Sequence, residues 1–135
     1  GVVEAFGWDH IATHSDPPGD DPTRTLVYRR RETQRMPKVV FRAAEKFCVD
    51  LGNHDVFDHP GPRGRGLAYR HFQYRSFSQM VRKIRQGAAA QEAAGLHPTY
   101  GAHWRSRAGL PDAVLEAEWD ALCATPDLVR DPAPT

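Results

Sequence analysis

The chain has 135 residues, 40% of them hydrophobic and 26% charged, with a formal net charge of +1. That suffices for one globular domain with a modest core. No run reaches the roughly 18 apolar residues of a membrane-crossing helix, no signal-peptide pattern opens the chain, and Cys48 and Cys123 are too few for a disulfide scaffold or a thiolate zinc site.

Val2 to Phe6 reads as a short strand or the end of one, followed by Gly7-Trp8-Asp9-His10. The chain opens on Gly1, already inside structured sequence, which predicts a piece of a longer protein with an N-terminal part before it. Thr13 to Asp21 is a polar loop, given Pro17, Pro18 and Gly19. Thr23 to Gln34 fits either a strand from Leu26 or a helix from Arg29. Lys38 to Arg42 is a strand entered after Pro37. Phe47 to Leu51 alternates and predicts a second strand, linked to the first by Ala43 to Lys46 and closed by the turn Gly52-Asn53-His54-Asp55. Asp58 to Gly66 is a glycine- and proline-rich loop.

Leu67 to Tyr74 is the third predicted strand. Tyr69, His71 and Gln73 alternate there with Arg70, Phe72 and Tyr74. Ser76 is an N-cap with Gln79 three residues on, the pattern of a capping box. Phe77, Met80, Val81, Ile84 and Ala88 then mark one apolar helical face over 77–94, with Arg82, Lys83 and Arg85 largely off it. The stretch from Gly95 to Leu110 reads as irregular. Pro111 opens a last helix over 111–124, on which Leu115, Trp119 and Leu122 share a face. The tail 126–135, with three prolines, should fray. The elements define a mixed α/β class, with one domain over 1–125.

Charge is unevenly placed. Arg24 to Lys46 holds eight of the 18 basic residues against Glu32 and Glu45, and Arg63 to Arg85 holds seven more with no acid. From Asp112 onward the chain is acidic. A basic middle attracts polyanions: nucleic acid, an anionic lipid surface at the membrane periphery, or a nucleoside diphosphate. A small nucleic-acid-binding module would use Arg63 to Arg85 with Tyr69, Phe72 and Tyr74 as stacking rings. Cys48 and Cys123 read as small buried hydrophobes in a reducing, cytoplasmic setting.

Among the histidines, His10 and His14 are four apart, but the loop that follows argues against a helical metal pair. His97 and His103 read as surface residues in a loop. His54 stands in a turn after a strand, where a scaffold presents side chains to a site, with Asn53, Asp55 and Asp58 near it. Imidazole with carboxylates suits a divalent cation. His71 and Arg75 lie at a strand-to-helix junction, where an anionic group could sit. No Gly-x-Ser-x-Gly, Walker loop or Asp-x-Asp occurs in the chain.

The order of the pieces, "PKVVFR", "GNHDV", a glycine-rich loop and "HFQYRSFSQMVRKIRQGAAA", resembles the C-terminal part of bacterial glycosyltransferase family 2-like proteins, over roughly Val2 to Ala90. The resemblance implies a partial GT-A fold. It also implies transfer of a sugar from a nucleotide-diphosphate donor to a hydroxyl of a glycan or lipid-linked acceptor. A divalent cation, Mn²⁺ or Mg²⁺, would neutralise the leaving group, with His54 completing a metal site whose Asp-x-Asp lies upstream. Lys38, His71, Arg75 and Lys83 match recurrent positions and would contact substrate. The general base is not placed, Asp9 being only a candidate, and without a donor-binding half the chain alone should be inactive.

Overall fold

The computed structural model describes residues 1–43, 46–50 and 52–132. In chain order these form β1 (Val2–Asp9), α1 (Pro22–Thr25), β2 (Tyr28–Arg29), β3 (Lys38–Phe41), β4 (Cys48–Val49), β5 (Val56–Phe57), β6 (Arg63–His71), α2 (Phe77–Ala93), α3 (Ala102–Ala108), α4 (Asp112–Cys123) and β7 (Val129–Arg130). The mixed α/β class is therefore observed.

β1 is the middle of a three-stranded sheet, with β3 antiparallel on one side and β6 parallel on the other. Its pairs with β6 run from Val2↔Arg63 to Asp9↔His71, with a slip between Glu4 and Ala5. Arg63 to Gly66, expected in a loop, thus belongs to a strand. Backbone groups along the start of β1 require partners, and this segment supplies them. The strand also stops earlier than expected, at His71, because β1 stops at Asp9.

The segment expected as a strand over 47–51 pairs only at Cys48 and Val49, with Phe57 and Val56. Leu51 lies outside the described residues, as do Ala44 and Glu45 of the link. The hairpin buries one residue, Val56, against Val2 and Val39, and leaves Phe47, Val49 and Phe57 exposed. Cys48 is consequently exposed, against the expectation, while Cys123 is buried. The ambiguous stretch from Thr23 divides into a helical turn capped by Asp21, whose carboxylate accepts from the Thr23 amide at 2.9 Å, and the short strand β2.

The helices pack on one another through the main core of Tyr74, Met80, Ile84 and Leu115. Met80, Ile84 and Leu115 are at most 1% exposed, and each such burial stabilises by about 1.5–3 kcal/mol. The Ser76 hydroxyl caps α2 through the Gln79 amide at 3.2 Å, and the Gln79 side chain reaches back to the Arg75 amide rather than to the cap residue itself. α3 replaces the expected irregular stretch. Trp104 and Ala108, four apart, pack against the core, and Arg107 bonds Glu118 on α4.

Over its described part the tail is paired to the rest of the domain. β7 pairs with β2, and Asp131 reaches Arg29 at 3.2 Å, Arg70 at 3.1 Å and His10 at 3.4 Å. Two guanidiniums on one carboxylate, with the His10 ring beside it, outweigh the local effect of the prolines. His10 is a structural histidine, 1% exposed, its Nδ1 on the Leu26 carbonyl at 2.7 Å. His14 is exposed beside Asp120, so the two do not form a metal pair.

Candidate anion-binding site

The site lies at the carboxyl ends of the parallel pair β1 and β6, the end of an open α/β sheet where ligands commonly bind. Asp9 and His71 are register partners there. The Asp9 Oδ1 is 2.6 Å from His71 Nδ1. The Gln34 amide nitrogen donates to the same carboxylate oxygen at 2.8 Å, and the Gln34 carbonyl accepts from the Tyr69 hydroxyl. His71 Nδ1 also lies 2.8 Å from the Gln34 amide nitrogen; the shorter contact with the Asp9 carboxylate favours the tautomer with its proton on Nδ1, and Nε2 has no protein partner among the described residues. Burial, and then the charge of Asp9, raises the Tyr69 pKa and keeps its hydroxyl a donor.

His54 is held by a latch on β3. Asn53 donates through Nδ2 to the Val39 carbonyl at 2.9 Å and accepts the Val39 amide at 3.1 Å. His54 Nδ1 donates to the Pro37 carbonyl at 2.8 Å. Its remaining nitrogen, Nε2, accepts from Lys38 Nζ at 3.3 Å, and that ammonium also donates to the Gly52 carbonyl.

These residues do not fit a divalent cation at His54. Its one available nitrogen faces a positive charge, and Asp55 is engaged by Arg63 at 2.8 Å and by the Val56 amide at 2.7 Å. Those two bonds hold the Asp55 carboxyl below its usual range. Among the described residues, no three His, Cys, Asp or Glu side chains converge on a point. The Lys38 and Lys83 ammoniums beside the two imidazoles fit an anion instead.

Gly52 permits the latch. Its φ is +79°, and a Cβ would lie 2.9 Å from His54 Cδ2 and 3.0 Å from Nε2. Left-handed backbone costs a non-glycine residue about 1–2 kcal/mol. Gly52→Ala is expected to lower unfolding free energy by about 1–3 kcal/mol once the displaced ring is included. Chemical denaturation measures the loss, and an unchanged His54 ring signal by NMR would show that the contact is not tight.

Four of the five sequence-derived site residues, Lys38, His54, His71 and Lys83, line one cavity of about 490 Å³. Lys83 donates to the Gln73 carbonyl at 3.2 Å and stands 5.5 Å over the Tyr74 ring. Burial, then Arg75 and Lys38, push the Lys83 pKa down, and burial does the same to Lys38. Arg75 is not on this cavity. It lines a neighbouring one of about 410 Å³ along α2, which shares Lys83 and Trp104 with the first.

Gln34, Gln73, Tyr100, His103 and Trp104, none of them among the residues expected at the site, also line the larger cavity. Gln73 had a signal, since it alternates with His71. Gln34 had none: it sits in the ambiguous stretch and arrives through its amide bond to the Gly7 carbonyl at 2.8 Å. His103 and Trp104 come from the unexpected helix α3, so His103 is exposed as expected but on a helix beside the cavity.

No helix among the described residues is long and apolar enough to cross a membrane. No protein-family model, curated protein or solved structure matches the chain.

Proposed function

We propose that the larger cavity binds the diphosphate of a nucleotide-sugar donor, and that the chain is part of a glycosyltransferase acting on a glycan or lipid-linked acceptor. The supporting observation is the convergence of Lys38, His54, His71 and Lys83, drawn from separate stretches, on one cavity. A departing diphosphate develops negative charge, and fixed cations in a partly desolvated site stabilise it. Lys38 and Lys83 supply that charge here, because the residues around His54 do not fit the expected Mn²⁺ or Mg²⁺.

His71 is the base in this scheme, and Asp9 orients it. Nε2 takes the proton of the acceptor hydroxyl. The acceptor oxygen bonds to the anomeric carbon, and the electron pair of the broken bond leaves on the diphosphate. A reducing compartment such as the cytoplasm suits the exposed thiol of Cys48.

Nucleic-acid binding gains no support from the rings of Tyr69, Phe72 and Tyr74. Tyr74 is buried, Phe72 packs against the Ala12–Leu26–Cys123 cluster, and the Tyr69 hydroxyl is tied to Gln34.

Calorimetric titration of the chain with UDP, GDP and ADP tests the proposal. One of them should bind saturably, about tenfold or more weakly to Lys38→Met, the worth of one charge-assisted hydrogen bond. Chelation with EDTA should leave the affinity within about twofold, since lysines rather than a metal neutralise the diphosphate. Failure of all three to bind would remove the donor assignment.

A further inference from the structure

Between Arg63 and Arg85 the chain has seven basic residues and no acid. Folding brings carboxylates to four of them. Arg63 pairs with Asp55 at 2.8 Å, Arg65 with Glu4 at 2.8 Å, Arg70 with Asp131 at 3.1 Å, and Arg85 with Asp112. The remaining three, Arg75, Arg82 and Lys83, have no carboxylate partner among the described residues. All three line the cavity of about 410 Å³ along α2.

The cavity is built on one stripe of that helix. Gln79, Lys83 and Gly87 follow at i, i+4 and i+8, with Arg82 and Gln86 beside them at the same spacing. This stripe flanks the face that buries Met80 and Ile84. Gly87 has a definite role in it. A glycine inside a helix costs about 1 kcal/mol relative to alanine. Here a Cβ would meet the Trp104 ring at 2.6 Å, so the missing side chain admits the indole to the cavity.

Two guanidiniums, an ammonium, two primary amides and an aromatic face make a site for a phosphorylated, hydroxyl-bearing molecule. Guanidinium binds phosphate through paired N–H donors, amides bond hydroxyls, and an indole face packs on a sugar ring or other weakly polar surface. The Lys83 ammonium is crowded by Arg75 and Lys38 when no anion is present.

We propose that Arg75, Arg82 and Lys83 form a second anion subsite, which takes a phosphoryl group carried by the acceptor. The word acceptor rests on the donor assignment of the neighbouring cavity; the phosphoryl specificity does not. Lys83 and Trp104 line both cavities, so a donor diphosphate in one and an acceptor phosphate in the other would sit side by side with Lys83 between them.

The test is titration of the full chain with glycerol 1-phosphate, followed by tryptophan fluorescence. Sedimentation with phosphatidylcholine vesicles, with and without phosphatidic acid, runs in parallel. Saturable binding of glycerol 1-phosphate is expected, reduced tenfold or more in the Arg75→Gln/Arg82→Gln double variant and partly restored in Arg75→Lys/Arg82→Lys. Both arginines are exposed, and an unchanged melting curve confirms that the variants fold. Added affinity for vesicles carrying phosphatidic acid assigns a lipid-borne phosphate, and binding in solution alone assigns a soluble phosphorylated acceptor. Absent binding in both arms, or binding equal in the wild type and the glutamine variant, overturns the subsite. Should glycerol 1-phosphate bind while no nucleoside diphosphate does, the subsite stands and the donor assignment falls.

Discussion

Lys83→Met is expected to weaken nucleoside-diphosphate binding by about 10- to 100-fold, and phosphomonoester binding by a similar factor, as one charge-assisted hydrogen bond is lost from each. Lys83 is the cation that both cavities share. Methionine keeps an apolar stem of similar length and removes the ammonium, and with it the bond to the Gln73 carbonyl and the contact over the Tyr74 ring. The pH dependence gives a second reading of the same residue. Burial, then Arg75 and Lys38, hold the Lys83 pKa below its ordinary 10.5. Its ammonium is therefore lost at a lower pH than that of an exposed lysine, and anion affinity falls as pH rises through that depressed value.

Stability moves the other way. A lysine whose folded pKa lies below its unfolded one binds fewer protons in the folded state between the two values. Stability without ligand therefore rises with pH across that window. A bound anion lifts the folded pKa back and flattens the rise. Thermal melts from pH 7 upward, with and without phosphate, measure both effects. A pH slope that phosphate leaves untouched would mean that Lys83 does not meet the anion.

Much of α2 and β6 was legible in the sequence, and for a local reason. Period two in β6 and its continuation put His71 and Gln73 on the cavity and the Tyr69 hydroxyl on Gln34, and sent Phe72 and Tyr74 into apolar clusters. Ser76 and Gln79 announced the helix start. The His54 turn was also visible, but its chemistry was not. Lys38 meets His54 only because Asn53 latches the turn to β3, and a histidine beside acids in sequence became a histidine beside an ammonium in space.

Long-range pairings were the least legible. The Asp9–His71 contact depends on two parallel strands meeting across 62 positions, and nothing local encodes that register. α3 is a seven-residue helix entered from Gly101 with no side-chain cap, so it carried no start signal beyond Trp104 and Ala108. The tail reads as loose for the same reason: its order comes from Asp131 meeting Arg29, Arg70 and His10, contacts that composition does not show.

Ile84→Ala is the complementary experiment, with the largest expected effect on stability. Ile84 is fully buried against Tyr74, Met80 and Leu115. Its truncation leaves a cavity and should cost about 2–5 kcal/mol, a large share of the roughly 5–15 kcal/mol that holds a domain folded. Ile84→Val should cost only about 0.5–1.5 kcal/mol and serves where the alanine variant is too unstable to titrate. Ile84 follows Lys83 directly, yet the two point about 100° apart around the helix. One side holds α2 to the other helices, and the other presents cations. Anion affinity of the Ile84 variants should therefore fall only in proportion to the unfolded fraction, whereas Lys83→Met should lose affinity while melting close to the parent, because relief of a crowded, partly desolvated charge offsets the lost bond to the Gln73 carbonyl. Denaturation and calorimetry on the two variants separate these roles. Equal loss of affinity in folded Ile84→Val and Lys83→Met would show that binding depends on how α2 is seated in the core, and would take Lys83 out of direct contact with the anion.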